Sequence, residues 1–354
     1  MSKIKIGITQ GDINGISYEI IIKNFSEPKN LSNIIPIIYG SSKVFSVHKK
    51  NTNLNVNSMI INSVEEAKNS NLHIINCNSE EIKVEIGRST DVAGLASFQA
   101  LEKSVSDLKD NKLNIIITNP VDVHNINEAG FDFISHSNYF TSKFKVENYL
   151  EILVKDNLRI AIVCDSTSVS DLHLDLSSEI ILNKIELLNK TLKKDFLLDR
   201  PKIAVLGLNP FNKNLNVDEK TVNIVNAIEM ANAKNIFVFG VYNAEDFFGN
   251  FEYNKFDAVL AMYHEQAYIP FKLLEREEGI KYTAGLPFLH VSPINEVSFD
   301  NAGKNLASEI SFRHAIEFAL DVLKNREYQD EIEKNKLKIG AFAEDIKSIN
   351  QIDE

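Results

Sequence analysis

The segment IKIGITQGDING, residues 4–15, decides the fold class of this sequence. Residues 4–9 are typical of a buried β-strand. The residues after them include Gly11 and Gly15, which permit a tight turn and close backbone approach. A helix that carries Glu19 is predicted next. A strand, a short turn and a helix in this order form the repeating unit of layered α/β folds.

The alternation of strand and helix continues along the chain. Apolar residues at helical spacing predict helices over residues 95–108 and 181–192, and C-terminal helices from residue 306 to 325 and beyond. The length of 354 residues suggests about two domains, at roughly 150 residues per domain. Because no linker is visible, we expect the chain to leave one domain and later return to it. Short apolar runs predict further strands at Ile34–Tyr39, Leu113–Thr118, Ile160–Cys164, Ile203–Leu206, Ile236–Phe239 and Ala258–Met262.

The composition excludes several classes of function. Lys and Arg total 38 and Asp and Glu total 49, which gives a net charge of −11. Generic binding to nucleic acid needs a basic face, so this balance argues against it. The chain has no apolar run of ~18 residues that would predict a membrane span, and its start lacks the apolar segment of a signal peptide. Cys77 and Cys164 are too few to frame a fold of this size, so we expect a cytoplasmic protein.

Polar residues follow several predicted strands, at the edge where open α/β sheets bind ligands. After the strand at residues 113–118, His136 lies between two serines just before a helix predicted to begin near Asn138. The N-terminus of that helix is suited to an anion such as a phosphate. A surface or helix-capping role for His136 is the alternative that the residues alone leave open.

A second group of candidate residues follows the strand at 258–262. His264 and Glu265 come directly after it, and both are suited to metal binding or proton transfer. Lys272 is suited to attracting an anionic substrate. Within residues 282–288, Gly285-Leu286-Pro287 is predicted to form a loop that touches the same cleft.

Two common nucleotide-binding signatures are missing from the sequence. Neither G-x-G-x-x-G nor a P-loop with its lysine occurs, which disfavours ordinary Rossmann and P-loop sites. The turn at residues 10–15 therefore remains compatible with a plain connection between a strand and a helix.

Six short motifs occur in order along the chain. Together they resemble the 4-hydroxythreonine-4-phosphate dehydrogenase family of pyridoxal phosphate biosynthesis, over about residues 3–319. The motifs are Gly-Asp-x-x-Gly at 11–15, Ala-Gly-Phe at 129–131, Leu-Asn-Pro at 208–210, Ala-Met-Tyr-His at 261–264, Gly-Leu-Pro-Phe at 285–288 and Ala-Gly-Lys-Asn at 302–305.

This resemblance implies two α/β/α domains with a central cleft, similar to isocitrate and isopropylmalate dehydrogenases, and a homodimer. We expect residues 1–135 and 280–354 to form one domain, and residues 136–279 to form the other with the dimer interface. The resemblance also implies that 4-phosphohydroxy-L-threonine is oxidised with NAD or NADP to a β-keto acid, which then decarboxylates. A divalent metal (Zn, Mg or Co) would act as the Lewis acid.

Carried over residue by residue, the resemblance implies that His136, Ser137 and Lys272 bind the substrate. It implies that His264 is one of three metal-binding histidines, one of which comes from the partner subunit. Ser166 and Phe211 stand at the positions of the other two. Asp165, Asp171 and His173 are the alternative ligands nearby.

Further departures fall on the substrate and cofactor positions. Lys281 stands where the family has an asparagine, and His290 stands where it has an arginine that could clamp a phosphate. Lys281 and His290 are expected to replace part of that charge. Residues 294–298 replace an Asp-His-Gly-Thr-Ala stretch that borders the cofactor.

Two classes of function follow. The first is an NAD(P)-dependent dehydrogenase of 4-phosphohydroxy-L-threonine or of a different phosphorylated hydroxy acid. The second is a catalytically impaired or repurposed paralogue that binds a ligand or regulates. A phosphate acyltransferase is less well supported, because nothing marks a coenzyme A site. The expected partners are a small phosphorylated hydroxy-amino acid and a second copy of the chain, with neither nucleic acid nor membrane.

Overall fold

The structure is a computed structural model that describes residues 3–68, 70–78, 82–165, 176–209, 218–275 and 277–335. The strands are β1 Ile4–Thr9, β2 Ile34–Gly40, β3 Ser58–Ile61, β4 Leu72–Asn76, β5 Ile115–Thr118, β6 Leu150–Lys155, β7 Leu158–Cys164, β8 Lys202–Leu206, β9 Phe237–Tyr242, β10 Ala258–Tyr263, β11 Ile280–Ala284 and β12 Leu289–Pro293. The α-helices are α1 Ser17–Ser26, α2 Ser42–Thr52, α3 Asp91–Lys109, α4 Val123–Glu128, α5 His136–Phe144, α6 Ser178–Lys194, α7 Glu219–Ala233, α8 Ala244–Gly249, α9 His264–Glu275 and α10 Ile310–Lys334.

These strands form one sheet in the order β3-β4-β2-β1-β5-β12-β11-β6-β7-β10-β8-β9. Pairing is parallel towards both ends of the sheet, for example between β1 and β2 and between β10 and β8. In the middle, β11 runs antiparallel to both β12 and β6, and β6 runs antiparallel to β7. The reversal of strand direction therefore falls at the centre of the sheet.

Helices bury their apolar stripes against this sheet. In α6, Ile181, Ile185 and Leu188 repeat at helical spacing and are fully buried. The predicted α/β class is confirmed. The predicted domain boundaries stay a prediction. The strands β11 and β6, which that prediction assigns to different domains, pair with each other in the sheet. No helix within the described ranges is both long and apolar enough to cross a membrane.

All seven predicted strands are present, with small shifts at their ends. The loop predicted at Gly285-Leu286-Pro287 is confirmed as part of the turn between β11 and β12. The helix predicted from residue 306 begins at Ile310, and the helix predicted near Asn138 begins at His136. The strands β3, β4, β6, β11 and β12 were not predicted.

Close packing of α3 on α4 depends on a glycine. A Cβ atom on Gly94 would lie 2.0 Å from the backbone oxygen of Asn125, and a backbone atom cannot move aside as a flexible side chain can. We therefore expect Gly94→Ala to lower the free energy of unfolding by roughly 1–3 kcal/mol, as overpacking usually does. Urea unfolding measures this. Gly249→Ala, where a Cβ would meet nothing within 4 Å, is the control. Equal stability of the two variants would contradict the expectation.

Candidate active site

A cavity of about 510 Å³ lies over the centre of the sheet, where β5, β12, β11 and β6 meet α5. The polar side chains in its wall include Thr118 from β5, His136 and Ser137 from α5, Glu151 from β6, Lys281 and Thr283 from β11, and His290 and Ser292 from β12. Its mouth is bordered by residues 119–123 and 295–299.

The register of the central strands brings these side chains together. Thr283 pairs with His290 on one side and with Glu151 on the other, and Lys281 pairs with Ser292. Directly paired residues point to the same face of a sheet, and alternate residues along a strand share that face. The antiparallel centre of the sheet therefore carries a polar row beneath α5.

Hydroxyl groups and one imidazole form a continuous chain along this row. Thr118 Oγ1 lies 2.6 Å from Ser292 Oγ and 2.9 Å from His290 Nε2. His290 Nδ1 lies 2.8 Å from Thr283 Oγ1, which lies 2.8 Å from Ser137 Oγ. We refer to these five residues as the hydroxyl–imidazole chain.

The hydroxyl–imidazole chain ends at the buried carboxylate of Glu151. Ser137 donates to Glu151 Oε2 at 3.2 Å, and the Tyr268 hydroxyl donates to Glu151 Oε1 at 2.8 Å. Both carboxylate oxygens thus accept from hydroxyl groups. Glu151 is 8% exposed, and burial together with its charge raises the pKa of Asp165, so a second carboxylate lies within electrostatic reach.

Both histidines of the cavity are held in the neutral form. Burial, with the charge of Lys281, lowers the pKa of His136 to about 3. Burial also lowers the pKa of His290 well below its usual value, and the same lysine adds to the effect. His290 therefore supplies no positive charge in place of the expected arginine. Its two ring nitrogens are already engaged by Thr118 and Thr283.

Lys281 is the cation of the cavity wall. Its side chain is half-buried, and among the described residues it makes no hydrogen bond or ion pair. An ammonium group removed from water without a partner is costly, so a bound anion would stabilise it. Three other polar atoms in the wall are buried without a hydrogen-bond partner in the described chain: His136 Nε2, Asn119 Oδ1 and Asn295 Oδ1.

The glycine-rich turn at residues 11–15 supports this wall from below. Gly11 has a φ of +64°, and a Cβ there would lie 2.5 Å from the backbone oxygen of Pro120. A Cβ on Gly15 would lie 2.5 Å from a Val297 side-chain atom. Asp12 accepts from the Asn125 side chain at 2.7 Å. The turn packs against the loops of the cavity mouth and does not itself line the cavity.

Two of the four predicted site residues, His136 and Ser137, line the cavity. Lys272 lies in an adjoining depression, where its ammonium donates to the backbone oxygen of Ile294 at 3.0 Å and lies 3.8 Å from Glu296. His264 begins α9 outside the cavity. Its side chain is 47% exposed and stacks on Tyr268 at a centroid distance of 4.0 Å.

The residues present do not fit a three-histidine metal site. Ser166 and Phe211, at two of the expected ligand positions, lie outside the described residues, as do Asp171 and His173. A phenyl ring cannot ligate a metal, and the described residues place the Glu265 carboxylate 3.8 Å from His264 Nδ1. In the described part of the chain, no group of three or more His, Cys, Asp or Glu side chains is arranged to hold a metal ion.

Comparison with known proteins identifies the lineage. The model of the family described as "Pyridoxal phosphate biosynthetic protein PdxA" matches residues 32–319. The chain belongs to the PdxA family. The resemblance read from the six motifs is thereby confirmed.

Individual PdxA relatives extend this result. The chain is 40% identical to a 4-hydroxythreonine-4-phosphate dehydrogenase of Bacteroides thetaiotaomicron, over 95% of this chain and 93% of the relative. It is 30% identical to a putative D-threonate 4-phosphate dehydrogenase of Clostridium botulinum, over 89% and 95%. A putative 4-hydroxythreonine-4-phosphate dehydrogenase structure from Salmonella typhimurium aligns with a TM-score of 0.77 at 27% identity, over 91% of this chain and 100% of that one. These relatives support a dehydrogenase role of the PdxA type.

Sequence reasoning missed Glu151, Thr283, Ser292 and Tyr268 as members of this PdxA-family site. A signal for part of the set was present. In β11 and β12 the polar residues alternate with Ile280, Tyr282 and Val291, which is the period-two pattern of a strand with one polar face. That pattern predicts a strand on each side of the expected loop.

Proposed function

We propose that this protein is an NAD(P)-dependent dehydrogenase of a phosphorylated hydroxy acid, with 4-phosphohydroxy-L-threonine as the first substrate to test. The observation that carries the proposal is Lys281, a half-buried cation without a partner among the described residues, in the cavity of a PdxA-family chain. Relatives named for 4-hydroxythreonine-4-phosphate and for D-threonate 4-phosphate support a phosphorylated substrate.

The chain's own residues divide the work of binding. Lys281 attracts the anionic group of the substrate, and the buried Nε2 of His136 lies in the same wall as a further polar contact. Ser292 offers its hydroxyl oxygen to the substrate's own hydroxyl, and Ser137 remains a predicted substrate residue in the same wall. Lys272 remains a predicted substrate residue that acts from the adjoining depression.

Asn295 marks the side of the cavity proposed for the nicotinamide. Its buried Oδ1 lacks a hydrogen-bond partner in the described chain, and a carboxamide N–H group is a donor that fits it. When bound, NAD(P)⁺ supplies a hydride acceptor. Because the donor set of the described residues does not fit a metal, the proposal assigns no step of the oxidation to a metal ion.

A homodimer of the cytoplasm is part of the same proposal. Ile269 and Leu273 on α9 are 60% and 76% exposed, and Leu306 is 69% exposed. Covering large apolar side chains of this kind by a second copy of the chain is favourable. His264, on the same helix, would then lie near the subunit interface.

A second candidate function is ligand binding without turnover. The observation that favours it is the presence of Ser166 and Phe211 at two positions where the family resemblance implies metal-binding histidines. Calorimetric titration tests what both candidates share. We expect 4-phosphohydroxy-L-threonine to bind at least about tenfold more tightly than 4-hydroxy-L-threonine, because a charge-assisted contact to Lys281 contributes roughly 1.5–3 kcal/mol. Equal affinities would contradict an anion site in this cavity.

A further inference from the structure

We propose that the hydroxyl–imidazole chain is a one-way proton relay that leads from the cavity to Glu151. In this relay, Glu151 takes up the proton that is released when the substrate alcohol is oxidised. The proposal rests on the proposed dehydrogenase function. It adds a terminal base and a direction of proton transfer to that function.

Glu151 fixes the direction in which the chain donates. An ionised carboxylate only accepts hydrogen bonds, and both of its oxygens do so here, from Tyr268 and from Ser137. A serine hydroxyl has one proton, and Ser137 donates that proton to Glu151. In its 2.8 Å contact with Ser137, Thr283 must therefore be the donor.

The same reasoning fixes the tautomer of His290. The Thr283 proton is committed to Ser137, so His290 Nδ1 must donate in its 2.8 Å contact with Thr283. A neutral imidazole carries one proton, so Nε2 accepts, and Thr118 donates to it at 2.9 Å. Ser292 Oγ lies farther from Nε2, at 3.4 Å, so we assign the shorter contact to Thr118, and Ser292 then donates to Thr118 at 2.6 Å. Each hydroxyl of the chain thus has one acceptor, and the arrangement points from Ser292 to Glu151.

Ser292, the open end of the hydroxyl–imidazole chain, lines the same cavity as Glu151 and the other members of the chain. Ser292 lines the wall opposite Lys281 in the strand register, and its oxygen keeps lone pairs that can accept a hydrogen bond. A substrate hydroxyl anchored through its anionic group at Lys281 would donate to that oxygen. The direction of the chain therefore suits a proton that leaves the substrate.

The step balances in atoms and charge. The substrate C–H bond breaks and its hydrogen leaves with the electron pair to NAD(P)⁺, while the O–H bond breaks and the carbonyl forms. The hydroxyl proton passes to Ser292, each member of the chain hands its own proton to the next, and Ser137 delivers one proton to Glu151. The products are the ketone, NAD(P)H and the protonated Glu151 carboxyl group.

The hydroxyl–imidazole chain is better suited to transferring a proton than to holding one. Burial disfavours a charged imidazolium at His290, so a proton does not rest there. The four successive contacts that link Ser292 to Ser137 measure 2.6–2.9 Å, which allows the protons of the chain to shift together. The contact from Ser137 to Glu151 is longer, at 3.2 Å. Here His290 is a positioning residue that connects two hydroxyl pairs.

Nitrogen-15 NMR of histidine-labelled protein tests the direction without any turnover. The His290 resonances are assigned by their loss in His290→Gln. We expect wild type to carry the proton on Nδ1. In Glu151→Gln, Tyr268 still donates to the amide oxygen, so the amide NH₂ donates to Ser137 and the whole chain reverses. The His290 proton is then expected on Nε2.

Glu102→Gln is the matched control for that reversal. Glu102 also accepts a hydrogen bond from a tyrosine, Tyr139, but Glu102 is not a member of the hydroxyl–imidazole chain. The His290 tautomer is expected to stay on Nδ1 in this variant. An Nε2–H tautomer in wild type, or no change in Glu151→Gln, would overturn the proposed direction.

Kinetics test the relay itself. We expect Thr283→Val to lower kcat by roughly 100-fold with KM within about threefold, which is the low end of a general acid–base contribution. Thr283→Ser keeps the hydroxyl and is expected to retain kcat. Thr141→Val removes another buried hydroxyl, which donates to the backbone oxygen of Asn138, and is the control for stability.

These measurements separate the relay from the underlying function. An active wild type with unchanged kcat in Thr283→Val would overturn the relay and leave the dehydrogenase standing. An inactive wild type would contradict the proposed function and, with it, the transfer of a substrate proton. The NMR result would still decide whether the chain points towards Glu151.

Discussion

Lys281→Met is expected to lower kcat/KM for a phosphorylated hydroxy acid by about 100-fold. Lys281 lines the cavity, is half-buried and makes no hydrogen bond or ion pair in the described chain. A charge-assisted hydrogen bond contributes roughly 1.5–3 kcal/mol, and each 1.4 kcal/mol is tenfold in affinity. Methionine keeps most of the length and apolar volume of lysine, so the change reports on the charge. Steady-state kinetics with 4-phosphohydroxy-L-threonine and with D-threonate 4-phosphate measure this change in kcat/KM.

The comparison variant for Lys281 is Lys324→Met. Lys324 is 68% exposed and pairs with Asp321 on the surface of α10, so its loss removes the same charge away from the cavity. Exposed pairs of this kind contribute about 0–1 kcal/mol. A loss of activity in Lys324→Met as large as in Lys281→Met would show that net charge, and not the cavity, controls the rate.

Restoring two histidines is expected to create a metal site. The double variant Ser166→His with Phe211→His should bind Zn²⁺ at least about 100-fold more tightly than wild type, because even indirect partners of metal ligands change affinity by 10- to 100-fold. Histidine imidazole is a preferred zinc ligand, whereas a phenyl ring cannot bind. Competition with a metal-sensitive dye measures the affinity.

His264 supplies the control for this gain. Adding His264→Ala to the double variant should remove most of the new affinity, since it deletes the third expected ligand. If wild type already bound one Zn²⁺ per chain as tightly as the double variant, other side chains would have taken the place of the lost histidines. The metal-free form of the proposed reaction would then be wrong.

The fold could be predicted from the sequence where the local hydrophobic pattern of a segment matches its place in the sheet. The seven predicted strands are mostly apolar runs, and all but β9 are largely buried, so their composition identifies them. The missed strands β11 and β12 carry Lys281, Thr283, His290 and Ser292 on one face, so their apolar content is halved. Their strand character depends on antiparallel pairing with distant segments, which a short window of sequence does not contain.

The candidate site, like the fold, could be predicted only in part from the sequence. His136 and Ser137 were found because they follow a strand and begin a helix, which are local features. Glu151 was missed because its importance comes from pairing with Thr283, 132 positions further along the chain. The neutral state of His290 was also out of reach, because it follows from burial and not from residue type.

Formation of NADH or NADPH by the purified protein is the most direct test of the central claim. The assay uses 4-phosphohydroxy-L-threonine and D-threonate 4-phosphate, with chelator or with added Mg²⁺ or Zn²⁺, beside a relative of established activity. We predict reduction of the nicotinamide with at least one of the two substrates, at a rate that the chelator leaves unchanged. No reduction by a folded protein under any of these conditions, with the relative active, would contradict the dehydrogenase proposal and favour ligand binding without turnover.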